Sequence, residues 1–168
     1  MELLLIRHGE AVEDASDLGD SGRWLTAKGR KLTRRVGEWL AQKKERRPAK
    51  IWTSPLVRSV QTAEILAEKA ELEGDVYARA ELSPGRDPAA VLDLLVRYQP
   101  DRPIALVGHE PMLSGLAHAL LPSVSFPGMK KSGVLAVSWD GKGPATLRFL
   151  LIPKGLEVLS ELPVAAPR

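Results

Sequence analysis

The segment MELLLIRHGEA (residues 1–11) sets four aliphatic residues, Leu3 to Ile6, directly before Arg7, His8, Gly9 and Glu10. A short, continuous apolar run predicts a strand buried on both faces, as in the interior of a parallel sheet. Its abrupt end places an arginine and a histidine at a strand terminus. Strand ends carry ordinary turns as well as functional sites, so this segment alone leaves both readings open.

The same device recurs along the chain. PIALVGH (103–109) is again apolar and again ends in Gly-His. KIWTS (50–54) reads as a strand ending at Ser54. Pro55 then opens a helix to about residue 70, with Leu56, Val60, Ala63, Leu66 and Ala67 on one face. Between the first two strands, Thr26 is the expected cap of a helix over 26–47, with Leu32, Val36, Trp39 and Leu40 at helical spacing and Pro48 at its end. DVYARAEL (75–82) reads as a third strand and SPGRDP (83–88) as a loop. Pro88 starts a helix bearing Val91, Leu94, Leu95 and Tyr98, and another helix covers Met112 to Leu121. VLAVSWD (134–140) and ATLRFLLI (145–152) form an expected hairpin. ELPVAAPR (161–168) reads as a frayed tail. The order β-α-β-α-β-α-β-α-β-β predicts an α/β fold. Its expected form is a three-layer α/β/α sandwich around a mostly parallel sheet with an antiparallel edge.

Composition narrows the function classes. The 168 residues suffice for one self-sufficient core. The sequence contains no cysteine, which removes disulfides, thiolate catalysis and cysteine-based zinc sites. No apolar run reaches the roughly 20 residues that span a bilayer, and no basic leader precedes Leu3, so no membrane association is expected and the expected location is cytoplasmic. The net charge of +3 concentrates in KGRKLTRRVGEWLAQKKERR (28–47), which reads as a solvated helix face. Without base-stacking aromatics it gives no expectation of nucleic acid, only a mild attraction for anions.

If the sheet is parallel, Arg7, His8, Ser54, Arg58 and His109 all lie at its carboxyl edge, where such sheets bind ligands. Guanidinium forks match phosphate oxygens, and a helix N-terminus near Arg58 adds unpaired N–H groups. A neutral histidine nitrogen in such a pocket could attack phosphorus while the arginines stabilise the equatorial oxygens. No histidine pair has the i, i+4 spacing of a helical metal motif, so no metal is expected from Glu10, Glu110 and the histidines. His118 reads as a partly buried helix residue. Trp52 is the tryptophan that could line substrate, and Lys130 and Lys131 could meet an anionic partner.

Three segments carry a family resemblance. L-I-R-H-G-E (5–10), T-S-P-L-V-R-S-V-Q-T-A (53–63) and V-G-H-E-P (107–111) resemble, in order, the three motifs of the histidine phosphatase superfamily, whose fold is phosphoglycerate-mutase-like. W-L-T-A-K-G (24–29) also fits its pattern. The resemblance implies a single domain over residues 1–160 followed by a tail over 161–168. It implies that His8 becomes phosphorylated, its attacking tautomer held by a backbone carbonyl near Gly9. It implies that Arg7, Gly9, Arg58 and His109 bind the phosphoryl group, with Ser54 at the pocket edge and no cofactor or metal. The short stretch between the second and third motifs is similar to the SixA-type phosphohistidine phosphatases, as is A-E-L-S-P-G-R-D-P (80–88). An open site of that kind suits a phosphorylated side chain on a protein. Members that cleave esters usually place a carboxyl general acid in the middle segment, where Glu81 and then Asp87 are the candidates here. The substrate is thus expected to be a phosphohistidine protein. A small phosphorylated metabolite and a non-catalytic phosphate-binding module remain as alternatives, and the oligomeric state is open.

Overall fold

Strand β1 (Glu2–Arg7) is central, and its alternating side chains feed two separate cores. Leu3 and Leu5 pack on one side of the sheet, Leu4 and Ile6 on the other. The computed structural model describes residues 1–72 and 76–165. The other elements are α1 (Ala27–Ala41), β2 (Lys50–Thr53), α2 (Val57–Ala70), β3 (Val76–Ala78), α3 (Pro88–Tyr98), β4 (Ile104–Gly108), α4 (Met112–Leu120), β5 (Val134–Ser138), β6 (Thr146–Ile152) and β7 (Glu157–Leu159).

The seven strands lie in the order β3-β2-β4-β1-β5-β6-β7. β3, β2, β4 and β1 pair in parallel, while β5, β6 and β7 pair antiparallel onto the free side of β1. Period-two alternation sends Trp52, Ile104, Leu106 and Leu135 to the face covered by α3 and α4. Ile51, Ala105, Val107 and Val134 go to the face covered by α1 and α2. This is the three-layer α/β/α sandwich expected from the element order. The antiparallel part is larger than one hairpin, because β7 adds a third strand, pairing Val158 with Leu151.

Several boundaries differ from the sequence reading. α1 stops at Ala41, and Lys44–Arg46 form a separate 3-10 turn. Its buried stripe includes Gly29 and Thr33, whereas Leu32 and Trp39 are only half-buried. The strand expected over 75–82 is confined to Val76–Ala78, and a 3-10 turn at Ala80–Leu82 follows. Asp75 lies outside the described residues. The segment read as frayed pairs its backbone with the loop after α4: Ser125 N donates to Pro163 O, and Ala165 N to Ser123 O. These two bonds form one antiparallel bridge, Val124 to Val164, on the surface, a backbone pairing that side-chain pattern alone does not encode. Among the described residues no helix is long and apolar enough to cross a membrane.

Candidate active site

The carboxyl ends of β1, β2 and β4 meet where β1 and β4 lie side by side, Arg7 opposite Gly108. β1 delivers Arg7 and His8, β4 delivers His109, and β2 leads through Ser54 into α2 with Arg58 in its first turn. The His8 and His109 rings are 5.0 Å apart between centroids, and both are buried.

The His8 ring has a defined tautomer. Its Nδ1 lies 2.7 Å from the Gly9 carbonyl oxygen, which can only accept, so Nδ1 carries the proton. Nε2 is left with its lone pair, and Arg58 Nε donates to it at 3.3 Å. Burial, together with the Arg58 and Arg7 charges, lowers the pKa of His8 to about 4, although the Gly9 carbonyl pulls the other way. The imidazole is therefore neutral at pH 7. Gly9 is held in turn: its N–H donates to Thr62 Oγ1 at 3.0 Å. A Cβ there would lie 2.7 Å from Thr33 Oγ1, so only glycine fits this approach of the loop to α1.

His109 is held differently. Ser54 Oγ lies 2.8 Å and Ser59 Oγ 3.2 Å from its Nε2. Its Nδ1 is buried without a hydrogen-bond partner among the described residues. An unpaired buried nitrogen is costly, and a bound ligand oxygen would satisfy it. Burial, the adjacent His8 and Arg58 lower its pKa to about 3.

The two arginines also have fixed partners. Arg7 Nη1 donates to the Met129 carbonyl at 2.7 Å, and Glu110 Oε1 accepts from Met129 N at 2.8 Å, so Glu110 secures the loop that steers Arg7. The Nε of Arg7 is buried and unpartnered among the described residues. Arg58 donates to the Asp20 carbonyl at 2.7 Å and to its carboxylate at 3.0 Å. Hydrogen bonds from Arg23 and then Arg58 hold the Asp20 carboxyl below its usual range.

Other expected residues fall elsewhere. Ser54 is fully buried and braces His109 instead of standing at the pocket edge. Glu81 is half-buried on the 3-10 turn, next to Leu82, whose carbonyl packs against Gly108. Asp87 is the exposed N-cap of α3, accepting from Ala89 N at 2.9 Å. Trp52 is core, 1% exposed, beneath Arg79 and Tyr98. His118 is exposed on α4 and bonds to the Ser114 carbonyl. Sequence reasoning missed Asp20, Ser59 and Thr62. Thr62 follows Arg58 by one helical turn, which is the signal that could have found it. Asp20 lies in a turn-rich loop and had no such signal.

Two histidines and two arginines at the carboxyl edge of this sandwich, with neutral imidazoles and unsatisfied donors, make an anion pocket on a phosphoglycerate-mutase-like fold. The family model for the histidine phosphatase superfamily (branch 1) matches residues 3–83. A protein of Picosynechococcus sp., described as uncharacterized, is 38% identical over 141 residues, 82% of this chain and 84% of its own. The protein histidine phosphatase SixA, solved in complex with tungstate, is 27% identical with a TM-score of 0.85, over 94% of this chain and 100% of that one. A putative phosphohistidine phosphatase SixA from Agrobacterium tumefaciens is 24% identical with a TM-score of 0.73, over 90% of this chain and 98% of that one. The chain belongs to the histidine phosphatase superfamily and is of the SixA type. It is a phosphatase, a hydrolase of phosphorylated substrates.

Proposed function

We propose that the chain hydrolyses phosphohistidine on a protein through a covalent phosphohistidine at His8. The observation that carries this is the His8 ring, with Nδ1–H tied to Gly9 and an unprotonated Nε2 that accepts from Arg58. In the first step Nε2 attacks phosphorus, the new N–P bond forms, and the bond from phosphorus to the substrate imidazole breaks. Arg7, Arg58 and the unpartnered His109 Nδ1 bind the phosphoryl oxygens, where charge gathers in the transition state. In the second step water attacks the phosphorus on His8, loses a proton, and releases inorganic phosphate. Both steps need positive charge, which the arginines supply, and neither needs a metal.

The carboxylates around the pocket favour this leaving group. Asp20 is held ionised by Arg23 and Arg58. Glu10 is held below its usual range by the Thr26 hydroxyl and then by Lys28. Neither can readily protonate an alkoxide at neutral pH. A substrate imidazole is different, because its remote nitrogen takes a proton from solvent and the ring departs neutral. The likeness to the SixA structure with tungstate, a phosphate-like oxyanion, supports the same reading.

The test compares the chain and His8→Ala on a histidine-phosphorylated carrier protein and on an alkyl phosphate, with and without a chelator. Release from the phosphoprotein is expected to be unaffected by chelator and to fall by about 10⁴-fold or more in the variant, with little ester hydrolysis throughout. Fast ester hydrolysis would overturn the substrate assignment and make Glu81 the candidate acid.

A further inference from the structure

A second feature begins one residue beyond Gly9. A groove of about 390 Å³ runs along the exposed side of α1, with Leu32 among its lining residues. Lys28, Lys31, Arg35, Lys131 and Lys154 face it, against one carboxylate, Glu10. Lys28 pairs with Glu10 at 3.3 Å. Lys31, Arg35, Lys131 and Lys154 are exposed and form no ion pair among the described residues. Three parts of the chain distant in sequence supply these cations: α1, the loop before β5 and the turn after β6. The basic run on α1 supplies three of them, and the fold adds Lys131 and Lys154 from distant segments.

The groove adjoins the reacting centre. Glu10 lines it and follows Gly9 directly. Ser132, next to Lys131, donates its backbone N–H to the carbonyl oxygens of Arg7 and His8 at 3.0 and 3.2 Å. The charge of Lys131 also reaches His8, helping to lower its pKa. The groove therefore borders the loop that carries His8, on the side of Glu10 and Lys131. No aromatic side chain lines it, so it lacks the stacking surface of a nucleic-acid site.

Resting on the phosphohistidine reading above, we propose that this groove docks an acidic segment of the protein substrate adjacent to its phosphohistidine. Charge complementarity here would raise the encounter rate and choose among phosphoproteins. The phosphoryl chemistry itself does not require it. Exposed pairs of this kind are individually weak and screened by salt, so the selection comes from several acting together.

The experiment uses two phosphohistidine peptides of equal length, one carrying a run of glutamates beside the phosphohistidine and the other a run of glutamines. The variant is Lys31→Gln/Arg35→Gln/Lys154→Gln, whose positions lie outside the phosphoryl pocket, with folding checked by thermal melting. The wild-type chain is expected to favour the glutamate peptide by about tenfold in kcat/KM, mostly through KM, an advantage lost in high salt. The variant is expected to lose this preference while hydrolysing an aryl phosphate at the wild-type rate. Equal rates on the two peptides, or a preference that survives in the variant, overturns the proposal. If neither phosphopeptide is turned over while the aryl phosphate is, the phosphohistidine reading fails by itself. Docking is then decided by binding of the same peptides without phosphate: tighter binding of the glutamate peptide by wild type alone supports it, and equal binding overturns it. Tighter binding of a short oligouridine than of the glutamate peptide also overturns it, in favour of nucleic acid.

Discussion

The parallel and antiparallel halves of the sheet are built from similar apolar strands but dispose of their ends differently. β1, β2 and β4 run the same way, so the polar residues that follow them meet in one crevice. β5, β6 and β7 reverse at each step, so their ends alternate between two edges and do not converge. Buried polarity follows this division. His8, Thr53, Ser54, Arg58, Ser59, Thr62 and His109 all belong to the parallel half, and Thr33 and Ser132 brace the loop beneath Gly9. The strands of the antiparallel half contribute Leu135, Val137, Leu150 and Leu151 to packing, and only the loops that flank them, with Met129, Ser132, Lys131 and Lys154, border the site. One half of the sheet therefore carries reactivity, and the other completes the core.

This contrast breaks if mutations in the two halves act alike. Arg58→Ala removes the donor to His8 Nε2 and one phosphoryl-binding fork. It is expected to lower kcat/KM by about 10³-fold while native stability changes by only about 1 kcal/mol, because its ion-pair partner Asp20 is largely exposed and water replaces the lost bonds. Leu150→Ala should do the reverse. It empties a nearly closed position in β6 and is expected to cost about 3 kcal/mol in urea unfolding, with kcat/KM per folded molecule unchanged. If Leu150→Ala also cut kcat/KM heavily, the halves would be coupled and the division would fail.

The smallest effect concerns pH. His8 and His109 have pKa values lowered to about 4 and about 3, below the usual 6.5. The unfolded chain therefore takes up protons first as pH falls below 6.5. Stability declines from there and levels off below about 3. The folded rings stay neutral, so between pH 7 and 5 the fraction of reactive His8 should fall by about a tenth, against about 25-fold for an unperturbed histidine. Long-range ¹H–¹⁵N spectra of the imidazoles check this directly. A His8 ring that is protonated at pH 5.5, or that carries its proton on Nε2, would refute the site geometry in the free enzyme.

Much of the molecule was legible in one dimension. The short apolar runs marked β1, β2, β4, β5 and β6, whereas β3 is shorter than read and β7 had no such run to announce it. Their alternation with amphipathic stretches fixed the layer order, and the polar residues after Ile6, Thr53 and Val107 fixed which strand ends matter. These are local properties, set by period and by the residues that follow. What the tertiary structure alone decided is relational. It brought Asp20 from a loop without a motif onto Arg58. It turned Ser54 from a pocket residue into a brace for His109, and assigned Asp87 to a helix cap. It paired Pro163 to Ala165 with Ser123 to Ser125, and gathered Lys31, Lys131 and Lys154 into one groove. A sequence specifies which groups a chain carries to its strand ends. Which of them touch depends on backbone paths through loops, where no hydrophobic period constrains the partner and only the packed fold selects it.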